Sequence, residues 1–134
     1  MGLEAAAEAP PRARLPEAIR VLAELAGGDR GSILMPMGLA AMRVVASFGG
    51  ADHGDLVIDL ERYPELAHVV ATDRPLLLVD APSAPLLAPV RELVCTAGLR
   101  SLAAAPLHVA ETVGVVRVTS RSAHLPVRAL TITA

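Results

Sequence analysis

The sequence predicts an α+β domain built on an antiparallel sheet. Two pairs of strand-like segments, at residues 32–48 and 101–120, lie near opposite ends of the chain, and each pair is joined by a short turn. Helical patterns precede and separate these pairs, whereas a doubly wound parallel sheet would alternate strand and helix regularly. At 134 residues, the chain has the length of one domain.

A helix is predicted over residues 15–26. Apolar residues recur there at helical spacing, Pro16 suits the first turn, and Gly27-Gly28 supplies a stop. Glu17, Arg20 and Glu24 occupy the other face, so the helix is amphipathic and offers one face to a partner surface. Residues 1–14 are rich in alanine, proline and charge, and we interpret them as a flexible tail or the end of a linker.

The remaining elements follow in order. The predicted elements are strands 32–37 and 40–48 around a turn at Gly38, a short strand 56–60, a helix from Pro64 to about residue 74, a strand 76–79, a proline-rich loop 81–89, a helix ending at Gly98, and a hairpin of strands 101–109 and 113–120. Residues 125–134 fit a helix or a strand. Gly114 predicts a bulge or a close backbone approach, and Pro106 an edge or bulge position. We expect the two end hairpins to join into one sheet.

Composition excludes several classes of function. All 12 basic residues are scattered arginines and Phe48 and Tyr63 are the only aromatics, so nucleic-acid binding is disfavoured. No uncharged apolar run reaches the ~18 residues that a membrane span needs. The absence of lysine excludes a Walker-type phosphate loop and a Schiff-base lysine. One cysteine, Cys95, allows no intramolecular disulfide and disfavours a cysteine-based metal site, and we expect a cytoplasmic location.

Several phrases, in order, resemble the GAF domain family from about residue 15 to the end. They are Tyr63-Pro64-Glu65 at a helix entry, an apolar strand that ends at Asp80, Arg100-Ser101 before a strand that ends Pro106-Leu107, and Val113-Gly114-Val115 at the start of the returning strand. The resemblance implies a GAF-like (profilin-like) fold, with a six-stranded antiparallel sheet flanked by helices over residues 15–134. It also implies helices on one face as a dimer surface and a small-ligand pocket on the other. Compared with the family, the C-terminal helix is short or truncated.

The resemblance implies a non-enzymatic sensory or regulatory role in bacterial signal transduction, with a small-molecule ligand or through a homodimer formed by the N-terminal helix. The alternative is a purely structural dimerisation module with no ligand. The ligand hypothesis predicts a cavity on one sheet face, and its candidate lining residues are Phe48, Tyr63, Asp80, Arg100 and His108. Asp80 would more readily cap a loop by accepting backbone N–H bonds, and Tyr63 would pack at the core edge. No cofactor follows from the sequence.

No catalytic or metal-binding residues are predicted. Redox chemistry at Cys95 is the least favoured hypothesis, since a free cysteine flanked by apolar residues is normally a small buried hydrophobe. His53, His68, His108 and His124 form no i, i+4 pair and no other ligand spacing. His53 lies between Asp52 and Asp55 in a polar segment, which we interpret as a solvated loop. His108 ends an apolar strand and would be the candidate for proton sensing, because imidazole titrates near neutrality.

Overall fold

The computed structural model describes residues 15–49 and 56–121. The strands in these segments are β1 (Arg30–Met37), β2 (Ala41–Phe48), β3 (Val57–Asp59), β4 (Leu76–Leu78), β5 (Ser101–Val109) and β6 (Thr112–Ser120). The α-helices described are α1 (Leu15–Ala26), α2 (Pro64–Thr72) and α3 (Arg91–Ala97). None of these helices has the length and hydropathy that crossing a bilayer requires.

The strands form one six-stranded antiparallel sheet in the order β3-β2-β1-β6-β5-β4. Its centre is the pairing of β1 with β6, in which residues 30–34 lie opposite residues 115–119. This pairing joins the hairpin near the start of the chain to the hairpin near its end. The predicted fold class, the six strands and the union of the two hairpins are therefore confirmed.

Two tight turns form these hairpins where the sequence predicts them. Gly38 lies in the turn between β1 and β2 with φ of +76°, a conformation that glycine adopts at little steric cost. Ala110 and Glu111 connect β5 to β6, and Ala110 has φ of +54°. Antiparallel strands need only such short connections, so both hairpins form from residues that are close in sequence.

The helices cover opposite faces of the sheet. On one face, α1 packs through Ile19 and Ala23, both fully buried, whereas on the other α2 packs through Leu66 and Val69, also fully buried. Successive strand residues point to opposite faces, so Ala103 joins the first cluster while Leu102 joins the second. The sheet is thus the shared wall of two apolar cores. A third, smaller cluster of Ala81, Ala84, Leu87 and Val94 is formed between α3 and the segment before it.

The positions of Gly114 and Pro106 in the sheet explain how β6 accommodates a glycine and β5 a proline. A Cβ at Gly114 would lie 2.5 Å from both the carbonyl oxygen of Leu34 and Sδ of Met35, so a close backbone approach is present. Pro106 pairs with Val115 of β6, but β4 pairs only with residues 102–104 of β5. Pro106 thus lies beyond the end of β4, on a stretch that is locally an edge, where its missing N–H costs little.

Replacing Gly114 with alanine should lower the free energy of unfolding by about 1–3 kcal/mol, because the new methyl group must push β1 away from β6. Urea denaturation measures the loss. Gly38→Asn is the control, since nothing lies within 4 Å of its Cβ position and asparagine tolerates a positive φ. Equal stability losses in the two variants would contradict this account of Gly114.

The structure differs from the sequence prediction mainly in its short elements. Residues 81–89, predicted as a loop, form two 3-10 helices, Ala81–Ser83 and Pro85–Val90. Each carries a proline in its first turn, where the fixed φ favours helical geometry and no N–H donor is needed. The third strand ends at Asp59, which caps a 3-10 turn by accepting the backbone N–H of Glu61 at 3.0 Å. Residues 1–14 and 125–134, for which a tail and a helix or strand are predicted, lie outside the described residues.

Candidate functional site

A cavity of about 280 Å³ lies on the face of the sheet opposite α1. Its floor is formed by β1, β2, β3 and β6, and its other wall comes from the start of α2 and the end of α3 with the residues after it. The apolar residues that line it are Leu34, Val44, Phe48, Leu56, Ile58, Leu66, Ala97 and Leu99, of which Phe48 also packs against the apolar cluster under α1. The sheet and the two helices therefore border a partly open space beside the core.

A row of polar side chains crosses the cavity floor. The strand register places Ser47 of β2 opposite Ser32 of β1, and Ser32 opposite Arg117 of β6, and all three line the cavity. Directly opposite residues in an antiparallel sheet share a face, so the row is continuous across three strands. The next pair along, Arg30 and Thr119, also lines the cavity. One end of the space is thus polar.

Arg117 forms the central polar contact of this wall. Its Nε donates a hydrogen bond of 2.8 Å to Oε2 of Glu65, whose side chain is only 4% exposed. The Arg117 guanidinium also lies over the Tyr63 ring, 5.9 Å from the centroid, which is within cation–π range. The ion pair and the ring together fix the guanidinium against the start of α2.

The charges along the cavity are mostly positive. Arg30, Arg117 and Arg121 line it, together with one acid, Asp29. The Asp29 carboxylate accepts the backbone N–H of Arg121 at 3.1 Å, which links the start of β1 to the end of β6. Three arginines and one acid among its lining residues give the cavity a net positive charge, which favours an anion.

The structure brings two of the five candidate lining residues to this cavity. Phe48 and Tyr63 are among its lining residues, whereas Asp80, Arg100 and His108 are not, and all three are exposed. His108 instead contacts Asp73 at the end of α2, with 2.7 Å between Nε2 and Oδ1. Asp80 does not cap the 3-10 helix that follows it, so the capping role expected of its side chain is wrong.

The burial predicted for Cys95 is also wrong. Cys95 is exposed on α3, because this short helix buries only Val94. It is not among the cavity-lining residues. His53 and His124 lie outside the described residues. Across residues 15–49 and 56–121, no group of three or more His, Cys, Asp and Glu side chains is placed to hold a metal ion.

Sequence reasoning did not select Glu65 or Arg117 as site residues. The available signal was the single charge of Arg117 inside an otherwise apolar strand, at a position that shares a face with Val115. A charge on a core-facing position needs a partner, since burying it alone is costly. The partner is Glu65, which is 52 positions away in the sequence, so only the fold reveals the pair.

A family model described as GAF domain matches residues 10–132, nearly the whole chain. The chain belongs to the GAF domain family. This match confirms the family resemblance drawn from the sequence. GAF domains are sensory and regulatory modules of signalling proteins. In a comparison with curated proteins, nothing matched this chain.

Solved GAF structures share the fold at low sequence identity. The GAF domain of a phosphoenolpyruvate-protein phosphotransferase from Coxiella burnetii is 17% identical with a TM-score of 0.72, and the match covers 98% of this chain and 83% of that one. The phycoerythrobilin-bound GAF domain of a cyanobacterial phytochrome is 12% identical with a TM-score of 0.72, and the match covers 97% and 85%. For the A. aeolicus nlh2 GAF domain in an inactive state, the values are 18%, 0.62, 89% and 76%.

Proposed function

We propose that this GAF domain is a non-enzymatic regulatory module of bacterial signal transduction that binds a small molecule in the cavity between the sheet, α2 and α3. The observation that carries the proposal is the cavity itself, which combines an apolar lining with a polar row around Arg117. Ligand sites are typically concave and mostly apolar, with a few placed polar groups that orient the ligand. A similar GAF domain, that of the cyanobacterial phytochrome, is described with a bound phycoerythrobilin.

A metabolite screen by thermal shift tests ligand binding, because a ligand at about 100 times its Kd adds ~2.7 kcal/mol to folding stability. The variant that should abolish a hit is Ala97→Leu, which places a larger side chain at the cavity wall. Ala71→Leu is its matched control, since Ala71 is also exposed on a helix but does not line the cavity. A hit that survives Ala97→Leu unchanged would place the ligand elsewhere. A broad screen with no hit would favour the structural alternative.

We also propose that the domain forms a homodimer through α1. Val21 and Leu25 are 40% and 64% exposed and lie one turn apart on the helix, beside an ion-pair network in which Arg20 contacts Glu17 and Glu24. The Arg20 hydrogen bond to Glu17 lowers the pKa of that carboxyl. Exposed apolar side chains beside charged residues that are held in ion pairs are suited to a self-complementary helix contact. The alternative function, a purely structural dimerisation module, requires this dimer contact but no ligand.

Leu25→Glu should shift a dimer toward monomer in analytical ultracentrifugation, because a carboxylate would be buried in the contact. Leu93→Glu is the matched control: Leu93 is 65% exposed on α3, away from α1. A dimer that resists Leu25→Glu, or one that Leu93→Glu disrupts instead, would show that α1 is not the contact. A wild-type protein that stays monomeric at high concentration would refute the homodimer.

Non-enzymatic action and a cytoplasmic location are part of the same proposal. Redox chemistry at Cys95 has little support, because this thiol is outside the cavity where a substrate would be enclosed. Reactive cysteines need a microenvironment that stabilises the thiolate. A single cysteine suits a reducing compartment such as the cytoplasm.

A further inference from the structure

We infer that the ligand of this cavity is a small carboxylic acid with an apolar body, whose carboxylate pairs with Arg117. The inference rests on the proposed ligand-binding function and adds the chemical class of the ligand. It is carried by three features of the described residues: the unused donors of Arg117, the balance of charge along the cavity, and the apolar volume beside them.

Arg117 has donors to spare. Glu65 takes the hydrogen bond from Nε, and within residues 15–49 and 56–121 neither Nη1 nor Nη2 donates a hydrogen bond to a side chain or carbonyl. The Arg117 side chain is 23% exposed and lines the cavity, whereas Glu65 is 4% exposed and does not line it. The Arg117 guanidinium thus lies between the buried Glu65 carboxylate and the cavity. Its Nη fork matches the planar, two-oxygen geometry of a second carboxylate.

The neighbouring groups favour an anion at this point. Ser32 and Thr119 lie beside Arg117 on the cavity floor, and among the described residues their hydroxyls have no hydrogen-bond partner. Arg30 and Arg121 add positive charge, against Asp29 in the lining and Glu65 behind it. Three arginines against two acids leave an excess of one positive charge, which a monocarboxylate would neutralise.

The rest of the cavity selects an organic acid. Leu34, Val44, Ile58 and Leu66 form an apolar wall next to the polar row, and this wall offers an inorganic anion nothing to bind. The cavity has a volume of about 280 Å³. This is just below the ~300–1,000 Å³ of typical ligand pockets, so the cavity suits a small organic acid.

Isothermal titration calorimetry with straight-chain acids from butanoate to octanoate tests the inference, with the primary amide and the alcohol of each chain length and with nitrate as comparisons. The acids should bind at least about tenfold more tightly than the amides and alcohols, because a charge-assisted hydrogen bond is stronger than a neutral one. They should also bind more tightly than nitrate, which lacks the apolar body. Acids no tighter than amides, or nitrate as tight as the acids, would overturn the inference.

Two variants separate the ligand contact from the structural ion pair. In Glu65→Gln, the amide oxygen still accepts from Arg117 Nε, so acid binding should persist or tighten as a competing carboxylate is removed. In the double variant Glu65→Gln/Arg117→Gln, no buried charge is left unpaired, and the acids should fall to the affinity of the alcohols. Wild-type acid binding by the double variant, or its loss in Glu65→Gln with the fold intact, would contradict the role of Arg117.

Methyl NMR distinguishes failure of this inference from failure of the proposed function. Acids should shift the methyl resonances of Leu34 and Leu66, which line the cavity. If only neutral compounds shift them, the cavity binds ligands but the assigned ligand class is wrong. If neither acids nor neutral compounds shift them, the ligand class is refuted, and the metabolite screen alone then decides the ligand-binding function.

Discussion

Replacing Arg117 with alanine should lower the free energy of unfolding by about 3 kcal/mol. The substitution leaves the Glu65 carboxylate buried without its cation, and breaking a buried pair by removing one partner typically costs 3–5 kcal/mol. The lower end of that range applies here, because the adjacent cavity can admit water to the remaining carboxylate. Urea denaturation followed by circular dichroism measures the loss.

Arg100→Ala is the matched control for Arg117→Ala. Arg100 is exposed and precedes β5, so its removal should change stability by no more than about 0.5 kcal/mol. Adding Glu65→Gln to Arg117→Ala should recover part of the loss, since the unpaired charge is then gone, and a double-mutant cycle gives the coupling between the two residues. Equal stability of the Arg117→Ala and Arg100→Ala variants would show that Glu65 needs no cation.

Leu66→Ala should cost about 2–5 kcal/mol, the range measured for fully buried leucines. Leu66 is completely buried at the start of α2 and packs in the cluster that contains Leu34, Val44 and Leu102. It also lines the cavity, so its loss should enlarge that space as well as weaken the core. Chemical denaturation gives the stability change, and a crystal structure of the variant would give the cavity volume.

Val70→Ala serves as the comparison on the same helix. Val70 is 41% exposed, so shortening it leaves no cavity, and we expect a change within about 0.5 kcal/mol. If the two variants lost similar stability, α2 would be held by its helical propensity instead of by packing on the sheet. That result would also weaken the description of the cavity wall, which depends on Leu66 being fixed against the sheet.

Long, regular elements were predictable from the sequence because their patterns repeat over many residues. Helix α1 has the predicted bounds, and the β5–β6 hairpin matches its prediction to within one residue. The segment between Ala81 and Val90 was not predictable in the same way. Its prolines indicate an irregular path, but whether that path coils into 3-10 turns depends on Ala81 and Leu87 finding a buried cluster.

The candidate site was harder to predict than the fold. Phe48 and Tyr63 line the cavity, but Asp80 and His108, which lie at or just after strand ends, are exposed outside it. A strand end can face a cavity or solvent, and the local sequence is the same in both cases. Cys95 illustrates the same difficulty. Its apolar neighbours in the sequence predicted burial, but the short helix α3 buries only Val94, and Cys95 is exposed.

The sequence by itself determined the α+β class, the hairpins and the family, because periodicity and turn chemistry are local properties. Only the tertiary structure decided which polar groups meet. Ser47, Ser32 and Arg117 share a row through the register of three strands, and Glu65 reaches Arg117 only once α2 packs on the sheet. Such contacts join residues far apart in the chain, and no local pattern specifies the pairing.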